Sequence, residues 1–243
     1  MKKLLLSALV AFSALAQAEK ITIATEGTYP PFSYHDESGK LTGYDVEVAR
    51  AVGEKLGIEI EFAETNWDSI LAGLKAGRFD AVANQVFLNS DERKASFVAT
   101  TPYAYSGEAL VVHQDNHEIK GLEDVKGKKA GQAITSSHAD WAKNAGAEIL
   151  PNEGWVESVL LIEQKRADLT FNDELAVLTY LKANPKAPIK IVWTDSNKTP
   201  VGLTFQKDRQ DVEKYSKAIE DLKADGTLKK IGEQFFGKDI SNP

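Results

Sequence analysis

WDSILAGLKAGRFDAVANQ (67–85) and WVESVLLIEQKRADLTFND (155–173) are the two stretches on which the fold turns. Trp67, Leu71, Leu74, Arg78, Asp80 and Asn84 in the first recur, at the same spacings, as Trp155, Val159, Ile162, Arg166, Asp168 and Asn172 in the second. Apolar residues three and four apart predict a helix in each stretch. A tight turn follows, and then a strand that ends on polar residues, Asn84-Gln85 or Asn172-Asp173. The echo has two readings. Any helix-turn-strand unit converges on such a pattern, or the chain is built from two similar lobes.

Outward from these stretches, strand-like and helix-like segments alternate almost to the end, which predicts an α/β architecture. Lys20-Ile21-Thr22-Ile23-Ala24 reads as a strand. Tyr44, Val48, Val52 and Leu56 then recur every four residues as one face of a helix that Gly57 stops. Ile58-Glu59-Ile60-Glu61-Phe62 alternates apolar with acidic residues, the pattern of an edge strand with one buried face. Two lobes require the chain to pass between them. Gly107–His113 is extended and leads out of the first half, whereas Trp193–Phe205, with Asn197, Pro200 and Gly202, leads back. A helical stretch from Val212 to Phe236 then returns to the first lobe. The expected layout is lobe 1 at residues 19–109 and 200–243, lobe 2 at 113–194, and a hinge near 107–113 and 194–202. A cleft between hinged lobes is a common place for a small ligand.

Composition narrows the functions. Residues 1–18 carry Lys2 and Lys3, an apolar run from Leu4 to Leu15, and Ala16-Gln17-Ala18, the layout of a secretory signal peptide. The run is too short to cross a bilayer, which needs about 20 apolar residues. The mature chain is therefore expected to start at Glu19 and to work in the periplasm. The chain has no cysteine, which excludes disulfides, thiolate chemistry and a lipid-bearing cysteine, so no direct membrane anchor is expected. Its formal charge of −7 becomes more negative once Lys2 and Lys3 are removed, making nucleic acid and anionic membranes poor partners. His35, His113, His117 and His138 are scattered without metal-ligand spacing, and no nucleophile elbow or phosphate-binding loop occurs. No catalytic set, metal or cofactor is expected.

Thr25-Glu26-Gly27-Thr28-Tyr29-Pro30-Pro31-Phe32 is followed by Gly39-Lys40-Leu41-Thr42-Gly43-Tyr44-Asp45-Val46-Glu47. Further along come Asn84-Gln85-Val86, Ser90-Asp91-Glu92-Arg93-Lys94, Thr101-Pro102-Tyr103, Asp168 to Asp173, and Asp225-Gly226-Thr227-Leu228. In this order and spacing the mature chain resembles the bacterial polar-amino-acid-binding proteins, solute-binding protein family 3. The Asn-Gln-Val and Asn-Trp-Asp segments look most like members that take cystine or related polar amino acids. The resemblance implies a two-lobed, type II periplasmic-binding-protein fold and a monomer that captures an amino-acid ligand. It also implies a partner, the membrane permease of an ABC importer.

A free amino acid carries a carboxylate and an ammonium on one carbon, so its receptor needs a cation and an anion close together. Arg93 suits the first because guanidinium presents a planar fork of donors, and the resemblance gives the arginine of this motif that role. Taken alone, it reads equally as a solvated arginine on an acidic helix turn. Asp173 corresponds to the family's ligand-binding aspartate, and it is also a good N-cap for a helix starting near Glu174. Ser137 and Asp140 have capping-box spacing at a helix start, where free N–H groups suit a carboxylate. The resemblance places a ligand-binding hydroxyl in this loop, Ser137 first and Ser136 in reserve. Glu26, Tyr29 and Trp67 correspond to the first-lobe wall. The two rings would stack on the ligand's aliphatic part, with Glu26 accepting a bond from its far end, although Trp67 fits core packing equally. Gln85, Val86 and Leu88 continue that wall, in a segment one residue longer than the family's pattern, which leaves open which backbone groups face the ligand. Two other readings stand beside transport: a dehydratase-like periplasmic enzyme, for which Glu26 is the one spare carboxylate, and a ligand-sensing module.

Overall fold

Two five-stranded sheets organise residues 19–243, the part of the chain that the computed structural model describes. The expected signal peptide, residues 1–18, lies outside the described residues. The first sheet runs Glu59–Glu64, Lys20–Thr25, Ala81–Val82, Thr204–Gln206, Phe97–Ala99. Its first three strands are parallel, and Thr204–Gln206 is antiparallel to both neighbours. The second sheet runs Glu148–Pro151, Lys129–Gln132, Leu169–Asp173, Glu108–His113, Ile189–Thr194. Again three strands are parallel and the fourth, Glu108–His113, is antiparallel to both neighbours.

Strand for strand the two sheets share one plan. The opening strand stands second from the edge, the next lies outside it, the third inside it, and then comes a strand arriving from the other half of the chain. The echoing stretches occupy the same place in each lobe. Helix Trp67–Lys75 leads into Ala81–Val82 as helix Trp155–Glu163 leads into Leu169–Asp173. The repeat is therefore a repeat of lobes.

Between the sheets, Ala104–Ser106 pairs antiparallel with Thr199–Val201. The outward crossing precedes Glu108, because Glu108–His113 bonds inside the second sheet and is buried from Glu108 to Val112, as a central strand must be. The return strand is Thr199–Val201.

Local chemistry explains most boundaries. Helix Tyr44–Leu56 buries Tyr44, Val48 and Val52 and ends at Gly57, whose φ of 66° suits a residue without Cβ. Glu59–Glu64 is an edge strand, with Lys20 paired to Glu61 at 2.7 Å on its exposed side. The helical stretch expected from Val212 to Phe236 is two helices, Val212–Ala224 and Thr227–Phe236. Gly226, at φ 83°, breaks it, and Asp225 Oδ1 accepts from Thr227 N at 3.0 Å. Both helices pack on the first lobe, where Phe236 meets Tyr44 and Phe32.

Candidate functional site

Parallel strands in an open α/β sheet deliver side chains to a crevice beyond their carboxyl ends. Here the two sheets point those ends at each other. Glu26 follows Thr25, Asn84 and Gln85 follow Val82, and Gln132 and Asn172 come from the facing sheet. They enclose a cavity of about 40 Å³. It opens, past Glu26, Tyr29, Gly154 and Trp155, into an outer hollow of about 610 Å³. A water needs roughly 10–15 Å³, so the inner cavity holds on the order of three waters and must widen to admit an amino acid.

On the first-lobe side, Glu26 Oε2 accepts from Asn84 Nδ2 at 2.6 Å, while Asn84 Oδ1 accepts from Thr25 Oγ1 and Glu26 N. Burial pushes the Glu26 carboxyl up to about 7, against the opposing pull of the Asn84 bond. Gln85 sits at φ 48°, unusual for a residue with a Cβ. Asp45, buried in the first turn of its helix, accepts from Gln85 N at 2.8 Å and Nε2 at 2.7 Å. That clamp holds Gln85 on the cavity wall, its Oε1 buried and without a partner among the described residues. Burial also pushes Asp45 up to about 7. Tyr29 OH reaches across the cleft and donates to Asn172 Oδ1 at 2.6 Å.

The second-lobe wall includes Ser136, Ser137 and His138. Ser136, rather than Ser137, is the helix cap: its Oγ accepts from Ala139 N at 3.0 Å and donates to Ala133 O at 2.8 Å. Ser137 is the first residue of the helix and caps nothing, because the capping-box reading placed the start one residue late. His138 Nδ1 lies 2.6 Å from Glu108 Oε1. Burial pulls this imidazole down, but the charge and hydrogen bond of Glu108 outweigh it and hold the ring above its ordinary value.

Glu26, Tyr29, Trp67, Gln85, Ser136 and Ser137 line the inner cavity; Arg93, Asp173, Val86 and Leu88 do not, and Arg93 lines a separate hollow of about 360 Å³ with Asp68, Thr135 and Asp140. Val86 is buried in the apolar cluster around Trp67 and Leu74, and Leu88 packs against that cluster. Asp173 is fully buried and caps helix Glu174–Ala183, its Oδ1 accepting from Leu175 N and Ala176 N. Among the described residues its Oδ2 has no partner, and burial pushes its carboxyl up to about 6. Arg93, buried beside the Trp67 ring, donates from Nη1 to Phe87 O and from Nη2 to Thr135 O, each at 2.7 Å. Burial lowers its pKa, and among the described residues no carboxylate lies within ion-pair distance of it. Sequence reasoning did not assign Asn84, Gln132, His138, Trp155 or Asn172 to the wall. Three of these, Asn84, Trp155 and Asn172, belong to the echo, so the counterpart of a cleft residue in one lobe was the available signal for a cleft residue in the other.

Residues 21–238 match the profile of the bacterial extracellular solute-binding proteins, family 3. The chain belongs to this family. Among relatives, a probable amino-acid ABC transporter-binding protein of Haemophilus influenzae is 46% identical, over 99% of this chain and 100% of its own length. Among solved structures, the L-cystine solute receptor of Neisseria gonorrhoeae in its unliganded open conformation is 58% identical, covering 93% of this chain and 96% of the receptor, with a TM-score of 0.62. An ancestral arginine-binding protein bound to glutamine is 36% identical, covering 91% and 100%, with a TM-score of 0.85. For a two-lobed family 3 protein, this inversion of identity and overlap is what a difference in lobe angle produces. Bonds across the cleft agree with the ligand-bound likeness. Besides the Tyr29 and Arg93 bonds, Thr135 Oγ1 donates to Asp68 Oδ1 at 2.6 Å.

Proposed function

We propose that this family 3 protein is the solute-capturing subunit of an amino-acid importer, closing on one polar L-amino acid, with cystine the leading candidate, and passing it to an ABC permease. The observation that carries this reading is the arrangement of unneutralised polar groups around the cleft. Glu26 and the unpartnered Gln85 Oε1 offer acceptors to an ammonium, and Arg93 is a buried guanidinium bonded to main-chain carbonyls without a carboxylate. The two sheets swing about the pair Ala104–Ser106 and Thr199–Val201. Opening withdraws Thr135 O and frees Nη2 of Arg93 for the ligand carboxylate, which a guanidinium grips in bidentate fashion. Asp173, through its free Oδ2, and Ser137 complete the grip from the second lobe, and Glu26 takes a donor at the ligand's far end. The ligand favours closure by the contacts it makes only in the closed form. A monomer in the periplasm suffices for this cycle.

Support for cystine comes from the likeness to the gonococcal receptor and from Glu26, which is costly to enclose opposite an aliphatic side chain. A thermal-shift panel of the common amino acids plus cystine tests it, since a ligand that binds only the folded state raises the melting temperature. Cystine and polar amino acids should stabilise; stabilisation by leucine and valine alone would sink the reading. Binding without turnover is part of the same proposal. The His138–Glu108 pair fits acid–base chemistry, so incubation with candidate substrates is the test, and it should return them unchanged.

A further inference from the structure

Trp67 and Trp155 hold corresponding positions in the two lobes, each the first residue of the helix that leads to the third strand of its sheet. Both line the inner cavity, and they are only 8% and 5% exposed. Among the described residues, neither indole Nε1 atom has a hydrogen-bond partner, and both are buried. An indole N–H is a donor only, and leaving such a group dry and unpaired is costly, so native proteins rarely do it. The two instances stand at equivalent places on facing lobes around one cavity.

We propose that Trp67 and Trp155 are ligand-binding residues whose indole N–H groups, one from each lobe, donate to acceptor atoms on the bound solute. The inference rests on the amino-acid-binding reading and narrows the ligand class: the solute must present an oxygen acceptor to each lobe at once. Glu26 and Gln85 line the same cavity, so they take the ammonium groups, and the indoles share the carboxylate oxygens with Arg93. A molecule with a carboxylate at both ends, as cystine has, fits two donors related by lobe symmetry better than a molecule with one. Trp155 is then more than core. Its ring also meets Tyr180 edge to face, with 5.7 Å between centroids.

Isothermal titration with cystine tests this on the wild type, Trp67→Phe and Trp155→Phe, with the melting temperature of each unliganded protein as the check on folding. Phenylalanine keeps an aromatic body and removes the donor. Each variant should bind cystine about tenfold or more weakly, the loss of one hydrogen bond to a charged group. Benzothienylalanine at position 155, which replaces the N–H by sulfur in a ring of the same shape, should show the same loss if the phenylalanine variant folds poorly. S-methylcysteine, with a single carboxylate, should be insensitive to one of the two substitutions. Wild-type cystine affinity in the benzothienylalanine protein, or in either folded phenylalanine variant, would overturn the proposal while leaving amino-acid binding intact. A wild type that binds no amino acid on the panel would overturn both.

Discussion

At the scale of single residues, the cleft is governed by what burial does to charge. Arg93 has two donors on carbonyls and none on a carboxylate. Arg93→Ala should abolish amino-acid binding in isothermal titration, since charge-assisted bonds contribute roughly 1.5–3 kcal/mol each. Arg93→Lys keeps the charge but loses the fork, and should still bind at least about tenfold more weakly than wild type. Affinity unchanged in either variant would remove Arg93 from the site. Glu26 and Asp45 are pushed up to about 7 and Asp173 to about 6, far above the ordinary carboxylate range. Between about pH 4 and 7 the folded chain therefore holds protons that the unfolded chain has released, so stability falls as pH rises through that window. The unliganded melting temperature should drop from pH 5 to pH 7.5, and Glu26→Gln should flatten part of the slope. An ammonium bound beside Glu26 favours its ionised form, so titrations near pH 6.5 in buffers of different ionisation heat should reveal proton release on binding.

At the scale of elements, neighbouring residues divide the work of one helix start. Ser136 caps helix Ser137–Asn144, whereas Ser137 faces the cavity with no capping duty. Ser136→Ala should cost about 1 kcal/mol of stability, read in chemical denaturation. Ser137→Ala should leave stability nearly unchanged and weaken ligand binding; the opposite pattern would reassign the two hydroxyls. The sequence carried the helix Tyr44–Leu56, the edge strand Glu59–Glu64 and the paired units at Trp67 and Trp155, because period and turn chemistry are local. It misplaced what depends on one residue's backbone angle, such as the cap at Ser136 or the break at Gly226. An extended, apolar segment such as Glu108–His113 looks the same in a linker and in the middle of a sheet. Only its pairing with Leu169–Asp173 and Ile189–Thr194 decides.

At the scale of the whole molecule, lobe symmetry was legible and the contacts between lobes were not. Arg93 was marked by its motif, but its bond to Thr135 O depends on how one lobe sits against the other, which no local pattern records. The same holds for Tyr29, expected to act through its ring, whose hydroxyl also joins the lobes at Asn172 Oδ1. Asn172 Oδ1 keeps a second donor, Asp173 N at 2.8 Å, so removing the Tyr29 hydroxyl leaves no buried acceptor unpaired. Tyr29→Phe therefore removes one bond that exists only when the lobes are together and disturbs little else. A neutral hydrogen bond of this kind contributes about 0.5–1.5 kcal/mol, enough to change a closed-to-open ratio by roughly 2- to 12-fold. The unliganded variant should populate the open form more than wild type does, and its radius of gyration in small-angle scattering should be larger. Saturating ligand should bring both proteins to the same compact size, so the variant should compact more on binding. Its affinity should fall by up to the same factor, because apparent affinity follows the fraction of closed molecules. Identical scattering of the two unliganded proteins, with equal affinities, would show that the Tyr29 hydroxyl has no part in closing the lobes.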